Sequence, residues 1–370
     1  MTVRCRMPAE WEPHKATWLT WPTNKTTWPG KLLKEVELIY LRMMGALLAH
    51  EKVNLLISDP SAGKRIVGKL EGRGVGTGRL ILHPVRYVDS WIRDYGPIFV
   101  KQQRMSLRGA QRRSNLNAEI ASVPSAPRND RVAFTKWILN AWGGKYADLA
   151  WDNGFVDKIS ALKNTPRVNV PMVLEGGSID VNGRGTCLTT EQCLLNANRN
   201  PKLSRKAIEG CLKKYLGVEK TIWLKEGIEG DDTDGHVDDI ARFVGPATVL
   251  TAVEPDREDR NHAILEENLR ILKRERTHDG KKLSTIELPM PGRVTVQESH
   301  TGGDRLPASY ANFYIANHAV LLPVYGHKND KAAVRVLKKA FPDRKIVPIE
   351  CTALVYGLGS IHCITQQEPY

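Results

Sequence analysis

Short apolar runs that alternate with longer amphipathic stretches constrain this chain more than any other feature. VNLLISD (53–59), RLILHPV (79–85), RVNVPMVL (167–174), TIWLK (221–225), TVLTAV (248–253), AVLLPVY (319–325) and KIVPIE (345–350) are short and β-branched, and Gly, Pro, Asp or Asn usually bounds them. That is the pattern of buried strands. KLLKEVELIYLRMMGALLAH has helical spacing. LSRKAIEGCLKKYLG is opened by Ser204 and closed by Gly217, and NDKAAVRVLKKAFP is stopped by Pro342, so both read as capped helices. Strand and helix recur at intervals of roughly 60 to 80 residues without a repeat in letters, and no break in composition divides the chain. The expectation is an α/β protein with a single domain over 1–370.

No apolar stretch is long enough for a membrane span, and MTVRCRMPAEWEPH lacks the apolar segment of a signal peptide, so a cytoplasmic protein is expected. Six cysteines are scattered without C-x-x-C pairing, which points to reduced thiols and away from a disulfide framework or a structural zinc site. The net charge of +13 raises a rival reading, a nucleic-acid-binding protein. Its distribution argues against that function. Lys101, Arg104, Arg108, Arg112 and Arg113 lie in a polar stretch, about 101–130, that reads as an inserted basic loop. Most of the other basic residues sit on helical segments such as ILEENLRILKRER, as a solvated face.

Polar residues that do not fit this scaffolding concentrate in four places. DSWIRDYGP (89–97) sets Asp89 and Asp94 around Trp91 before a Gly-Pro turn, and reads equally as a salt-bridged strand end. VLEGGSIDVNGRGTCL (173–188) delivers Glu175 onto a Gly-Gly bend, where a ligand can approach the backbone, or where a hairpin turns. EGDDTDGHVDDIARF (229–243) packs six acids and His236 into eleven residues, a repulsive cluster that calls for a cation. On an extended segment His236 and Asp238 share a face, which suits a base beside a binding carboxylate and leaves a metal open.

The fourth place is GSIHCITQQEP (359–369). If it is a strand, His362 and Cys363 point to opposite faces, so the partner of a nucleophilic Cys363 must come from elsewhere. His236 is the histidine embedded in acids. A thiol, a distant histidine and several carboxylates suit attack on a carbon centre that is itself cationic. A guanidinium has that property, and its N–H fork fits carboxylates such as Asp94 and Asp238. A peptide carbonyl would instead need an oxyanion hole of N–H donors.

MPAEWEPHKATWLTWP, WIRDYGP, NAWGGKY, LEGGSIDV with LTTEQCLLNANRNP, GDDTDGHVDDIARF, GDRLPASYANFYIAN and GSIHCITQQEP together resemble the agmatine deiminase family, also called the bacterial-type peptidylarginine deiminase family, within the guanidino-group-modifying superfamily. The segments occur in family order from residue 7 onward, and only the stretch around 101–130 looks foreign. The resemblance implies a five-bladed, pseudo-symmetric α/β propeller of ββαβ units with the site in its centre. It implies Cys363 as nucleophile, His236 as general acid/base, Asp94 and Asp238 as guanidinium-binding carboxylates, and Glu175 as the acid supporting the histidine. Trp91 and Asp232 occupy the positions that hold the far amine. Leu358 and Ser360 stand where many members have Gly and Asn, and Tyr87 and Val88 replace a more acidic stretch.

The function so implied is hydrolytic deimination of a guanidino compound without metal or organic cofactor. Agmatine is the first choice, arginine in peptides the second and free arginine the third. Arg93 and Arg242 are the cations that could hold a substrate carboxylate, unless neighbouring acids pair them. The thiolate is expected to form only with the bound cation's help. The partner is a small cationic guanidine; homo-oligomerisation stays open.

Overall fold

The computed structural model describes residues 3–104, 131–295 and 305–370, and its strands form five separate sheets. Each contains one repeating element: an antiparallel strand pair whose second strand leads through a helix to a parallel third strand. In the first, Ile98–Arg104 pairs with Arg131–Ile138, and helix Phe155–Lys163 precedes Arg167–Val173. In the second, Asp180–Val181 pairs with Thr186–Thr190, and helix Arg205–Leu216 precedes Lys220–Leu224. In the third, Ala241–Gly245 pairs with Thr248–Val253, and helix Arg260–Arg274 precedes Ser284–Pro289. In the fourth, Tyr314–Ile315 pairs with Ala319–Val324, and helix Asp330–Ala340 precedes Lys345–Glu350. The fifth joins distant stretches of the chain: Thr365–Pro369 pairs with His14–Thr20, which helix Leu32–Leu48 links to Lys52–Ile57.

This is the mixed α/β, ββαβ architecture expected from the sequence. The parallel third strands need a crossover, and the amphipathic helices supply it while covering the sheets. All seven apolar runs became strands. The caps also stand where the sequence placed them: Ser204 accepts from the Ala207 N–H, and Gly217 closes the helix at φ 74°, a left-handed conformation natural to glycine.

Two readings need correction. Residues 101–104 of the foreseen basic loop continue the strand Ile98–Arg104, because they pair with residues 3–6 and, in part, with Arg131 and Val132; the remainder, 105–130, lies outside the described residues. His362 and Cys363 are not on a strand. They occupy a turn at 361–364, and pairing begins at Thr365. None of the six cysteines is in a disulfide, and no described helix is long and apolar enough to cross a membrane.

Candidate active site

The segments that lead into the first strand of each unit converge. They are the short helix Ile92–Tyr95, the 3₁₀ turns Gly176–Ser178 and Val237–Asp239, and the stretches 308–312 and 359–363. The Gly177 N–H donates to Asp94 Oδ1 at 2.8 Å, the Arg93 N–H to the Cys363 carbonyl at 3.2 Å, and the His362 N–H to Asn312 Oδ1 at 2.8 Å. Gly177 is the point of closest approach. A Cβ there would lie 2.6 Å from His236 Nδ1 and 3.0 Å from both Asp238 Oδ2 and Asp94 Oδ1, so only glycine leaves room for the three side chains.

Cys363 lies beside this cluster. Its Sγ accepts from Asn312 Nδ2 at 3.2 Å and is 3.8 Å from Asp238 Oδ2. Burial, and then the charges of Asp238, Asp239 and Asp94, push the thiol well above its ordinary range. The ligand-free site therefore holds a thiol, and a cation entering among the carboxylates favours the thiolate. Asp94 accepts from Gly177 and, through Oδ2, from Trp142 Nε1 at 2.9 Å. Burial and the neighbouring Asp238 nevertheless raise it well above the usual carboxylate range. Burial alone would raise Asp238 too, yet the hydrogen bond and charge of His362 leave it below its ordinary value, and its Oδ1 has no partner among the described residues.

His236 Nδ1 faces Asp94 Oδ1 at 3.9 Å, and burial lowers this imidazole to about 4 against the opposing pull of Asp238. Neither its Nε2 nor Glu175 Oε2 has a hydrogen-bond partner among the described residues. Glu175 Oε1 is held by Arg199 Nε at 2.6 Å. Glu175, His236 and Cys193 each offer an atom within 4.8 Å of the others, a set that could ligate a metal. The Arg199 guanidinium already supplies a cation there. Two acids of the acid-rich segment are neutralised likewise: Asp234 pairs with Lys145 at 2.8 Å and Arg199 at 2.6 Å, and Glu229 with Arg305 at 3.1 Å.

A cavity of about 280 Å³ is lined by Cys363, Asp94, Trp91, Trp142, Tyr146, Asp232 and Asp148, among others. Trp91 packs at a tilt against Trp28 with ring centroids 5.4 Å apart, and Asp232 accepts from the Tyr146 hydroxyl. A Cβ on Gly359 would lie 2.4 Å from the Trp91 ring, which explains the small residue two positions before the turn. Leu358, beside it, lines the cavity at φ 69°, a conformation costly for leucine.

Of the seven residues singled out in the sequence, Trp91, Asp94, Asp232 and Cys363 line the cavity, His236 and Asp238 lie directly behind Asp94 and Cys363, and Glu175 lies beside His236, though not for every reason given. His236 and Asp238 converge because a 3₁₀ turn wraps them around Gly177, not because the segment is extended. DSWIRDYGP forms a short helix and not a strand end. Arg93 and Arg242 are buried in pairs, with Glu10 at 3.3 Å and Asp180 at 2.6 Å respectively, and are not free for a carboxylate. Asn312, Trp142, Arg199, Glu10 and His362 received no role from the sequence. Their signal is confined to their places in GDRLPASYAN, NAWGGKY, NANRNP, MPAEW and GSIHC.

Comparison with known proteins identifies relatives over the whole chain. The agmatine deiminase of Medicago truncatula is 38% identical over 383 residues, covering 98% of this chain and 96% of that one. The solved Enterococcus faecalis agmatine deiminase is 32% identical, covers 99% of this chain and 96% of its own, and superposes with a TM-score of 0.83. The C. jejuni agmatine deiminase, solved with substrate bound, is 29% identical with a TM-score of 0.82, covering 100% and 97%. The model of the Porphyromonas-type peptidyl-arginine deiminases matches residues 6–369, so the five converging loops, the thiol and its buried carboxylates belong to a member of that family.

Proposed function

We propose that the protein deiminates agmatine, releasing ammonia and N-carbamoylputrescine. The observation that carries this is a buried thiol under the charges of Asp94, Asp238 and Asp239, in a cavity that Asp232 and Asp148 also line. Such a cavity complements a dication with two cationic ends. That relatives covering nearly the whole chain are named agmatine deiminases supports the same reading. Free arginine would bring its carboxylate towards Asp232, with no unpaired cation at Arg93 or Arg242 to receive it. Peptidyl-arginine would set a neutral backbone where two acids stand.

In the reaction so read, Asp94 and Asp238 grip the guanidinium and Trp91 and Asp232 hold the far ammonium. The entering cation lowers the Cys363 thiol, whose proton passes to neutral His236 as sulfur bonds to the guanidinium carbon. His236 returns that proton to a departing NH₂, ammonia leaves, and an S-alkylthiouronium remains on Cys363. His236, supported from behind by Glu175, then takes a proton from water. Hydroxide adds to the carbon, the C–S bond breaks, and the hydroxyl proton returns to sulfur as the ureido product leaves, while His236 releases to solvent the proton it took from water and is neutral again.

The test is ammonia release from agmatine, peptidyl-arginine and free arginine by the wild type and by Cys363→Ser, in buffer containing a chelator. Release from agmatine that disappears in the variant supports the assignment. No release from any of the three by folded wild type overturns it.

A further inference from the structure

His362 precedes the nucleophile and does not line the cavity. It is 2% exposed, and both of its ring nitrogens meet carboxylates: Nδ1 lies 2.7 Å from Asp238 Oδ2 and Nε2 2.8 Å from Glu10 Oε2. An ionised carboxylate only accepts hydrogen bonds, so two such partners call for a proton on each nitrogen. Glu10 is anchored as an anion by Arg242 at 2.9 Å, Arg93 at 3.3 Å and the Ile315 N–H at 2.8 Å. On the other side Asp238 faces His236, Cys363, Asp94 and Asp239, with Asp231 and Arg242 also within electrostatic reach. Among these acids the differences are plain. Asp94 is bonded to the neutral donors of Gly177 and Trp142, and Asp239 to Asn312; of the three carboxylates whose charges act on the sulfur, Asp238 is the one hydrogen-bonded to a basic side chain.

We propose that His362 is a positioning residue for this reaction: as a doubly protonated ring clamped between Glu10 and Asp238, it selects Asp238 as the standing anion that receives the guanidinium. The inference rests on the deiminase reading for its substrate, but reception of a cation beside Cys363 can be measured without it. His362 acts through Asp238, whose second oxygen, Oδ1, is buried, has no hydrogen-bond partner among the described residues and so is available to a planar N–H donor. Without the imidazolium, three crowded carboxylates would compete for protons, and at neutral pH the site would meet a cation with none reliably ionised.

The test uses full-length His362→Gln and Glu10→Gln, with two alkylating reagents of similar size. 2-Chloroacetamidine is a cation that needs the anion beside the sulfur; iodoacetamide is neutral. In each, an S–C bond forms, halide leaves, and the thiol proton goes to buffer. For His362→Gln the ratio of cationic to neutral alkylation rate at Cys363 falls by about tenfold at neutral pH, and the acid limb of that ratio moves up by about one pH unit. Glu10→Gln shifts it in the same direction by less, because the ring keeps Asp238 but loses its second anion. A merely structural role would slow both reagents together, leaving the ratio and its limb in place, and that result overturns the proposal. If His362→Gln does not fold, an unshifted limb in Glu10→Gln overturns it equally. Wild-type protein that shows the alkylation preference but releases no ammonia from agmatine would fault the proposed substrate and leave this inference standing.

Discussion

Replacing Trp142 with Phe isolates one hydrogen bond at the guanidinium end of the cavity. Trp142 Nε1 donates to Asp94 Oδ2 at 2.9 Å, and the two residues are 6% and 8% exposed. A hydrogen bond to a buried ionised group contributes about 1.5–3 kcal/mol, so its loss should lower kcat/KM for agmatine roughly 10- to 150-fold at neutral pH. The direction follows from Asp94 itself. Burial and Asp238 already hold its proton on, the indole N–H favours the charged form, and removing that donor raises the carboxyl further. Guanidinium must then displace a more tightly held proton, so the loss should shrink as pH rises. Gly177 still donates to Asp94 Oδ1, so the carboxylate is not stranded. The assay is steady-state ammonia release across pH, with thermal melting as control. A kcat/KM within twofold of wild type, or a deficit equal at every pH, would refute the reasoning; the second would mean that the indole only fills space.

Arg199→Met should cost about 3–5 kcal/mol of unfolding free energy in a denaturant titration, because it leaves buried Glu175 without its cation. Asp232→Asn should raise KM for agmatine about tenfold or more while changing kcat less, since the far ammonium is bound alike before and during reaction; an unchanged KM counts against Asp232 as its anchor. Glu10 has a folded-state value well below its ordinary 4.5, as Arg242, His362 and Arg93 outweigh its burial. Its stabilisation is therefore present above about pH 4.5 and lost as pH falls through the folded value, so the melting-temperature advantage of wild type over Glu10→Gln should narrow in acid.

How much could be read from the letters depended on range. The apolar runs named their strands because burial in a sheet is recorded residue by residue, and Ser204 and Gly217 named helix ends by local chemistry. The acid cluster, with His236, was conspicuous because a soluble surface has little use for it. Glu10 was silent: its partners lie 83 and 352 positions away at Arg93 and His362, and nothing in MPAEW distinguishes it from a surface acid. Asn312 and Trp142 face the site across 51 and 48 positions. The turn at 361–364 is not legible in the letters, because Ile361 and Ile364 supply the apolar pattern a strand would, while the backbone there forms a turn.

The pairing of His14–Thr20 with Thr365–Pro369 also bears on when the protein becomes chemically competent. A nascent chain synthesised as far as Glu350 already has every strand of four sheets, yet lacks both the sulfur and the strand that seats it. Closing a ring between segments about 350 positions apart is among the most distant contacts a domain can make, and such contacts form slowly. Deiminase activity should therefore trail the appearance of secondary structure during refolding. A ribosome-stalled or prematurely terminated product would be inert instead of loose in its specificity.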